Sequence, residues 1–543
     1  MQDAIDTTTQ LENNSEATVE LFARFLAFVA ENVNSDPDSS HPRTNLLYNT
    51  FKHFTESYLA SQEVHTFTSA FDLDVRRTVI SSYFKALATL ESSGINDIPH
   101  SPPSALLAAA KDADASIHAV FGGQGTNEVY FDELQNLYDL YTPYVEPFIQ
   151  TITDELFAPL VRASSSPYDH SLDVSSWLSG STPRPPVSYL ASVAVSFPTI
   201  GLTQLTQYLV AFKVAGLTPG EMLEHFSGAT GHSQGIVSAA AISASSTYEQ
   251  FVSNSKKALK WLFLAGARAQ AAFPVVSLEP SIIADSVEGG EGVPSPMLTV
   301  VGLNLKDLER HVAATNKYLP DNSKLCISLH NSIKAFVITG PSRALHGLVT
   351  ALRKVRAPSG LDQSKIPFSK RKPVFHVRFL LVDVPFHSPY LADAVDVLLN
   401  EDLKGEELWE SDELQIPVYH TADGECVKSL VEVYSNFVVF LPGSDLRSSA
   451  SSITRSITEQ IFTLPLHWTK AIDFPETATH AIDFGPGGAN GVGPIVSRIL
   501  SGRGVRVIVL GDKSKGDELY DSNNVKYEDW WSKKWSPRLV KTR

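Results

Sequence analysis

The chain has 543 residues, 43% hydrophobic and 19% charged, with 31 Gly and 32 Pro, a composition that excludes collagen-like, coiled-coil and wholly disordered architectures. Its formal charge of −16 disfavours binding to nucleic-acid phosphate. Two cysteines, Cys326 and Cys426, are too few for a disulfide framework, and they point to a reducing, cytoplasmic setting.

The N-terminus, MQDAIDTTTQLENNSEATVE, is acidic and polar and lacks the basic start and apolar core of a signal peptide. No uninterrupted apolar run reaches about 18 residues, so no membrane span is expected. Between 19 and 93, LFARFLAFVAENV, YNTFKHFTESYLAS and VISSYFKALATLE repeat apolar residues three and four apart, which predicts helices. SDPDSSHPRTN (35–45) reads as a loop between them, and residues 1–105 as a helical N-terminal region.

IHAVF (117–121) is a short apolar run entering Gly122-Gly123-Gln124-Gly125, as a buried strand enters a turn. Helical patterns follow to about 161, then a polar break at 163–186, then apolar helix-compatible sequence to 227. Residues 297–375 alternate MLTVVG, DLERHVAATNKYL, KLCISLH, AFVITG and ALHGLVTALRKV, and VRFLLVDV (377–384) follows. The order β-α-β-β-α-β is that of a ferredoxin-like unit. HAIDFGPGG and VRVIVLG resume an α/β pattern. Residues 106–296 and 376–512 are thus read as one core interrupted by the insert, and 513–543, charged with interspersed Trp, as a linker or docking tail.

Gly231-His232-Ser233-Gln234-Gly235 is the sharpest chemical signal. G-x-S-x-G places a serine on a tight strand-to-helix turn, where glycines avoid Cβ clashes and the helix N-terminus favours developing negative charge. The small residues of IVSAAAISAS suit the helix; HFSGAT is a poor strand by composition. A serine hydroxyl needs a base. His387 in Val384-Pro385-Phe386-His387-Ser388, just past an apolar run, is the candidate, while His232 braces the turn. The Gly122–Gly125 loop lacks the Lys-Ser or Lys-Thr of a Walker loop, and suits either a plain turn or an N–H donor to an oxyanion. Phe484-Gly485-Pro486-Gly487-Gly488 lacks the dinucleotide-binding glycine spacing, although Asp512 follows. No HExxH or Cys/His cluster suggests a metal.

The order GQG, GHSxG, ferredoxin-like insert, PFHS, DFGPGG resembles the acyltransferases of fatty acid and polyketide synthesis. GATGHSQG, EGVPSPML (291–298), ITGPSRALHGL (338–348), RAPSGLDQSKIPFSKRK (356–372) and DFGPGGANG are similar to the acetyltransferase region of the fungal fatty acid synthase β subunit, from about 110 to 512. That resemblance implies an α/β-hydrolase-like core with an inserted ferredoxin-like subdomain and a cleft site between them. In those β subunits an enoyl reductase, a dehydratase and a second acyltransferase follow. A chain ending at Arg543 is therefore either freestanding or a piece of a longer polypeptide.

The same resemblance implies a mechanism. Ser233 takes an acyl group from acyl-CoA, and His387 acts as base and then activates the phosphopantetheine thiol of an acyl carrier protein. Backbone N–H groups of Gln124 and Gln234 form the oxyanion hole, and a carbonyl within Ile461–Leu464 orients the imidazole. No cofactor is bound; the phosphopantetheine belongs to the partner. Malonyl-transferring relatives carry an Arg where this chain has Ala265, which favours a neutral acyl group. Ala265, Arg268 three residues on, and Phe386 form the candidate substrate-binding set, and the small Ala265 leaves room for short or medium chains. Arg353, Lys354 and Arg356, with Lys370, Arg371 and Lys372, are a candidate docking patch for the carrier protein or simply a solvated charge run. Two alternatives stand beside transfer: a thioesterase or hydrolase with a late histidine such as His480, and a scaffold docking other synthase subunits through the N-terminal helices and the Trp-bearing tail.

Overall fold

A computed structural model describes residues 16–528, apart from 34–41, 61, 96, 100–101, 126–128, 165–167, 275, 359, 361, 428–451 and 513–515. The N-terminal helices are α1 (Glu16–Glu31), α2 (Pro42–Phe54) and α3 (Leu73–Ser92). Helix α1 buries Val19, Ala23, Leu26, Val29 and Ala30, the three-and-four spacing of one face. Helix α2 begins at Pro42, inside the stretch expected to be loop, because proline fits the first helical position, where no backbone donor is needed. Helix α3 packs between α1 and α4 (Tyr130–Ile152), so the N-terminal helices share one hydrophobic core with the rest of the chain.

Ten strands lie among the described residues: β1 (Ile117–Phe121), β2 (Phe226–Gly231), β3 (Met297–Val301), β4 (Cys326–Ser332), β5 (Ala335–Thr339), β6 (His376–Phe379), β7 (Val418–Tyr419), β8 (Leu466–His467), β9 (His480–Asp483) and β10 (Arg506–Val509). They form two five-stranded sheets. The first, in the order β10-β9-β1-β2-β7, is parallel throughout. Every residue of β1 and β9 is buried, as expected when helices cover both faces of a parallel sheet. Helix α6 (Gly235–Ser243) lies on β1 and β2, and α5 (Val193–Val214) and α7 (Tyr248–Ala272) pack against it and against each other. The poor strand former FSGATG is strand β2 because it lies between β1 and β7, where bulk is excluded. A Cβ on Gly228 would stand 2.7 Å from the Tyr419 ring.

The second sheet has the order β6-β3-β5-β4-β8. Its first four strands follow the ferredoxin-like order, with α8 (Leu305–Asn316) and α9 (Ser342–Val355) supplying the two crossovers. Leu298, Val300, Phe336, Ile338, Leu345 and Leu348 form a separate core there, whereas Met297, Leu329 and Val337 join the main core. The two-residue β8 comes from the core segment and pairs parallel with β4, which ties the subdomain to the core by main-chain bonds.

Part of the expected tail is packed rather than free. Leu519 and Tyr520 are buried, Tyr520 stacks on His65 at 4.9 Å, and the Ala105 N–H donates to the Asp521 carbonyl at 2.9 Å. Trp530, Trp531 and Trp535 lie outside the described residues. No helix among the described residues is long and apolar enough to cross a membrane.

Candidate active site

Ser233 follows β2 and precedes α6, at the carboxyl edge of the parallel sheet, where open α/β sheets build their sites. The turn is sterically closed. A Cβ on Gly231 would stand 1.9 Å from the Gly235 carbonyl carbon, and one on Gly235 would stand 2.3 Å from the Gly122 oxygen. Ser233 itself has φ 54°, in the left-handed region that a Cβ disfavours by about 1–2 kcal/mol. Of six described non-glycine residues with positive φ, two are Ser233 and His387, the latter at 57°. Both members of one hydrogen-bonded pair thus hold a backbone conformation that costs about 1–3 kcal/mol each.

Ser233 Oγ lies 2.8 Å from His387 Nε2, and His387 Nδ1 lies 3.0 Å from the Leu464 carbonyl. The oxygen is inside the expected segment Ile461–Leu464. It fixes the tautomer: Nδ1–H donates to Leu464, leaving Nε2 to accept from the serine. The His387 loop is pinned by its own N–H to the Ile461 carbonyl at 3.1 Å and by the Ser388 N–H to Phe462 at 3.0 Å. Burial pushes the His387 pKa down to about 4, with the nearby His232 adding to the effect and the Leu464 bond opposing it. A neutral imidazole so placed can accept the Oγ proton as the oxygen attacks a carbonyl carbon.

The Gly122–Gly125 loop lies against the elbow. The Gly122 N–H donates to the Gly485 carbonyl at 2.9 Å, and a Cβ on Gly123 would stand 2.6 Å from the His232 oxygen and 3.3 Å from Ser233 Cβ. Among the described residues no backbone hydrogen bond takes the N–H of Gln124 or Gln234. Their side chains are tethered instead, Gln124 Nε2 to Ser196 Oγ at 2.7 Å and Gln234 Nε2 to the Phe197 carbonyl at 3.1 Å. His232 spans the cleft: its N–H donates to the Phe121 carbonyl at 2.8 Å, its Nε2 meets Asn331 Oδ1 of β4 at 2.8 Å, and its ring packs edge-on to Trp468.

The structure keeps the other expected residues apart in role. Phe386 is buried beside His387 and stacks on Phe197 at 4.8 Å. Ala265 is buried in α7. Arg268 is not held ready for a substrate: its Nε and Nη2 both bind the Asp402 carboxylate at 2.7 Å, so the bidentate edge is occupied. The expected docking patch is likewise partly neutralised. Arg353 binds Asp285 at 2.8 Å and the buried Glu291 at 2.6 Å, and Arg356 reaches Glu291 at 3.3 Å. His480, the late histidine of the hydrolase reading, is paired with Ile117, which itself pairs with Phe226. It therefore lies at the amino edge of the sheet, five strand residues or roughly 17 Å from the elbow.

Sequence reasoning missed Asn331, Ser196 and Gln204. Gln204 is fully buried. Its Nε2 donates to the Gly122 carbonyl at 2.6 Å and the Gly485 carbonyl at 3.1 Å, while Ser238 Oγ donates to its Oε1 at 2.7 Å. It holds both glycine loops to the helix that follows Ser233. An amide inside a helix buried on nearly every side is the signal that could have found it. Gln204→Leu removes the side-chain partner of the Gly122 carbonyl and of the Ser238 hydroxyl, while the Gly485 carbonyl keeps the Gly122 N–H. It is expected to lower stability by about 1–3 kcal/mol, read by denaturant unfolding; an unchanged midpoint would show that the loops are held without it.

A serine on a strained elbow, bonded to a histidine that a main-chain carbonyl orients, between a parallel sheet and a ferredoxin-like subdomain, is an arrangement that equips a hydroxyl to act as a nucleophile. Residues 119–373 match the family model described as "Starter unit:ACP transacylase in aflatoxin biosynthesis", and residues 1–90 match "N-terminal domain in fatty acid synthase subunit beta". Over these two stretches the chain matches the acyltransferase and N-terminal domains of fungal fatty acid synthase β subunits. It is 38% identical over 539 residues to fatty acid synthase subunit beta of Schizosaccharomyces pombe, covering 97% of this chain and 24% of that one. It is 37% identical over 540 residues to the Saccharomyces cerevisiae subunit (96% and 25%) and 32% over 494 residues to a β subunit of Emericella nidulans (88% and 22%). The chain thus spans about a quarter of the length of these relatives. Among solved structures, a type II polyketide synthase acyl-carrier protein in complex with its malonyl-transacylase is similar at 18% identity and TM-score 0.49, covering 76% of this chain and 100% of that one. The malonyl CoA-acyl carrier protein transacylase of Coxiella burnetii is similar at 16% identity and TM-score 0.47 (75% and 96%).

Proposed function

We propose that this chain transfers a short neutral acyl group from CoA to the phosphopantetheine thiol of an acyl carrier protein, through an acyl-Ser233 intermediate, in fatty acid or polyketide synthesis. The observation that carries the reading is the contact of 2.8 Å between Ser233 Oγ and His387 Nε2, with Nδ1 held by Leu464. In the first half-reaction His387 takes the Oγ proton as oxygen attacks the thioester carbonyl. The tetrahedral oxyanion is met by the N–H groups of Gln124 and Gln234 and by the N-terminus of α6. Collapse breaks the C–S bond, and the CoA sulfur leaves with the proton held by His387. In the second half-reaction His387 takes the thiol proton of the carrier, the sulfur attacks the acyl-serine, and Ser233 recovers its proton.

A neutral acyl group is favoured because position 265 is alanine and Arg268 is engaged by Asp402, so a malonyl carboxylate would be desolvated without a partner. The family description and the relatives' names favour a carrier protein as acceptor and companion synthase subunits as partners. The test is intact-mass analysis after acetyl-, hexanoyl- or malonyl-CoA, followed by addition of a phosphopantetheinylated carrier protein. An acyl-protein that empties onto the carrier supports transfer; CoA release without a transferable acyl group supports hydrolysis.

The buried imidazole sets a pH expectation. With a pKa near 4, His387 remains the neutral base far below the ordinary histidine range. Single-turnover acylation is therefore expected to be flat in the base limb from pH 8 down to about 5, and to fall only as pH approaches 4. A midpoint near 6.5 would show a solvated base instead.

A further inference from the structure

A cavity of about 430 Å³ lies where α3, α4, α5 and the glycine loop after β9 meet. That volume is in the range of small-ligand pockets. Neither Ser233 nor His387 lines it. Leu73, Ile80, Leu137, Leu140 and Leu510 give it an apolar wall. Gly487, Gly488 and Asp512, which the acyl-transfer reading leaves without a role, line it as well. The two loops that carry them are in contact, since a Cβ on Gly488 would stand 2.9 Å from the Gly511 oxygen.

The charged groups on the wall are matched among themselves and with their surroundings. Arg76 binds Asp517, Arg77 binds Asn136 and, at 3.1 Å, Asp139, and Asp132 is held by Arg184 at 2.5 Å. Glu133 Oε2 accepts from the Gly487 N–H at 2.9 Å. Its Oε1 is closed off between two backbones: a Cβ on Gly485 would stand 2.3 Å from it, and one on Gly511 2.7 Å. Asp512 is engaged too. Both nitrogens of His65 are bonded, to Glu63 at 2.6 Å and to the Tyr141 hydroxyl at 2.7 Å. Among the described residues, the wall therefore leaves no cation over for a phosphate or carboxylate, and no open carboxylate for an ammonium.

What stays open is neutral. Gln207 lies one turn beyond Gln204 on α5, is 4% exposed and lines the cavity. Gln204 is bonded at both ends of its amide, whereas the Gln207 carboxamide makes no hydrogen bond among the described residues. The Tyr520 hydroxyl, equally buried and also on the wall, makes none either. A buried amide without a partner is costly, and leucine would fill a similar volume without that cost.

We propose that this cavity is a second binding site, for a small uncharged molecule with an apolar body and one amide or hydroxyl group that bonds to Gln207. The leucine and isoleucine wall receives the body. The carboxamide, donor and acceptor at once, orients the polar group. A charged molecule of the same shape would be desolvated against groups that are neutral or already paired.

The probe is 3-phenylpropanamide, with 3-phenylpropanoate and 3-phenylpropylamine as its anionic and cationic counterparts, each titrated into the full chain and followed by calorimetry. The amide is expected to bind about tenfold or more tightly than either counterpart. Gln207→Leu is expected to weaken the amide about fivefold, the scale of one hydrogen bond. The same variant is expected to raise the melting temperature, because no partner is lost. Leu140→Trp, which fills the space with an indole, is expected to abolish binding; should it not fold, Gln207→Leu decides alone. No binding of the amide to the wild type at millimolar concentration overturns the proposal. So does equal binding of the three probes, unchanged binding of the amide in Gln207→Leu, or a melting temperature that falls in that variant, which would reveal a structural partner for the amide.

Discussion

Ser233→Ala is expected to abolish the acyl-enzyme and to lower transfer by about a million-fold, the scale for removing a serine nucleophile whose base remains in place. The side chain is 9% exposed, and its Oγ meets a histidine nitrogen with no proton of its own, because Nδ1–H is committed to the Leu464 carbonyl. Alanine keeps the backbone turn, so the N–H groups of Gln124 and Gln234 stay where they are. Any residual rate then measures what the oxyanion donors and substrate binding achieve without covalent catalysis. Alanine carries the same Cβ as serine and adds no clash at φ 54°, so the variant should fold. Intact-mass analysis after acyl-CoA treatment decides the matter. An adduct of undiminished stoichiometry in Ser233→Ala would place the acyl group elsewhere and remove the central claim.

The second large effect comes from one methyl group that touches no substrate. Gly235→Ala would place a Cβ 2.3 Å from the Gly122 oxygen and 2.6 Å from the Phe121 oxygen, well inside contact distance and against backbone that cannot rotate away. The Gly122–Gly125 loop must then move off the elbow. Gly122 is also held by its N–H bond to Gly485 and by Gln204, so the displacement spreads to Gln124. A displacement of about 1 Å at a donor is enough for a loss on the order of a hundredfold in rate. The overpacking adds a stability cost of about 1–3 kcal/mol. The expected signature is a fall in single-turnover acylation much larger than the fall in melting temperature. Wild-type kinetics in Gly235→Ala would mean that the loop is free to adjust and does not position Gln124.

Local chemistry explains why the elbow was legible. The need for glycine at 231 and 235 arises from contacts within a few residues and against one neighbouring loop, so it leaves a short, regular trace in the chain. The alternation in 297–384 did the same for the ferredoxin-like subdomain, since period and turn chemistry are local properties. Strand β2 was harder. FSGATG has the composition of a turn, and only its place between two parallel neighbours makes it extended. Arg268 shows the opposite failure. On its helix it looked available for a substrate, yet Asp402, 134 residues away, occupies it.

By itself, then, the sequence determined the elbow with Ser233, the histidine that serves it, the segment 461–464 whose carbonyl orients that histidine, and the order of the subdomain's elements. The elbow and the order of elements follow from spacing along the chain, whereas the histidine's role and the segment 461–464 are what the family resemblance implies. Only the tertiary structure decided that Asp402 occupies Arg268, that Gln204 and Ser196 hold the loop of Gln124, that Asn331 of the inserted sheet braces His232, and that α5 closes on Gly266 of α7. The physical reason is that each of these is a pairing of buried polar groups or close-packed backbones far apart in sequence. Its partner is chosen by the packing of elements and leaves no periodic trace in either segment.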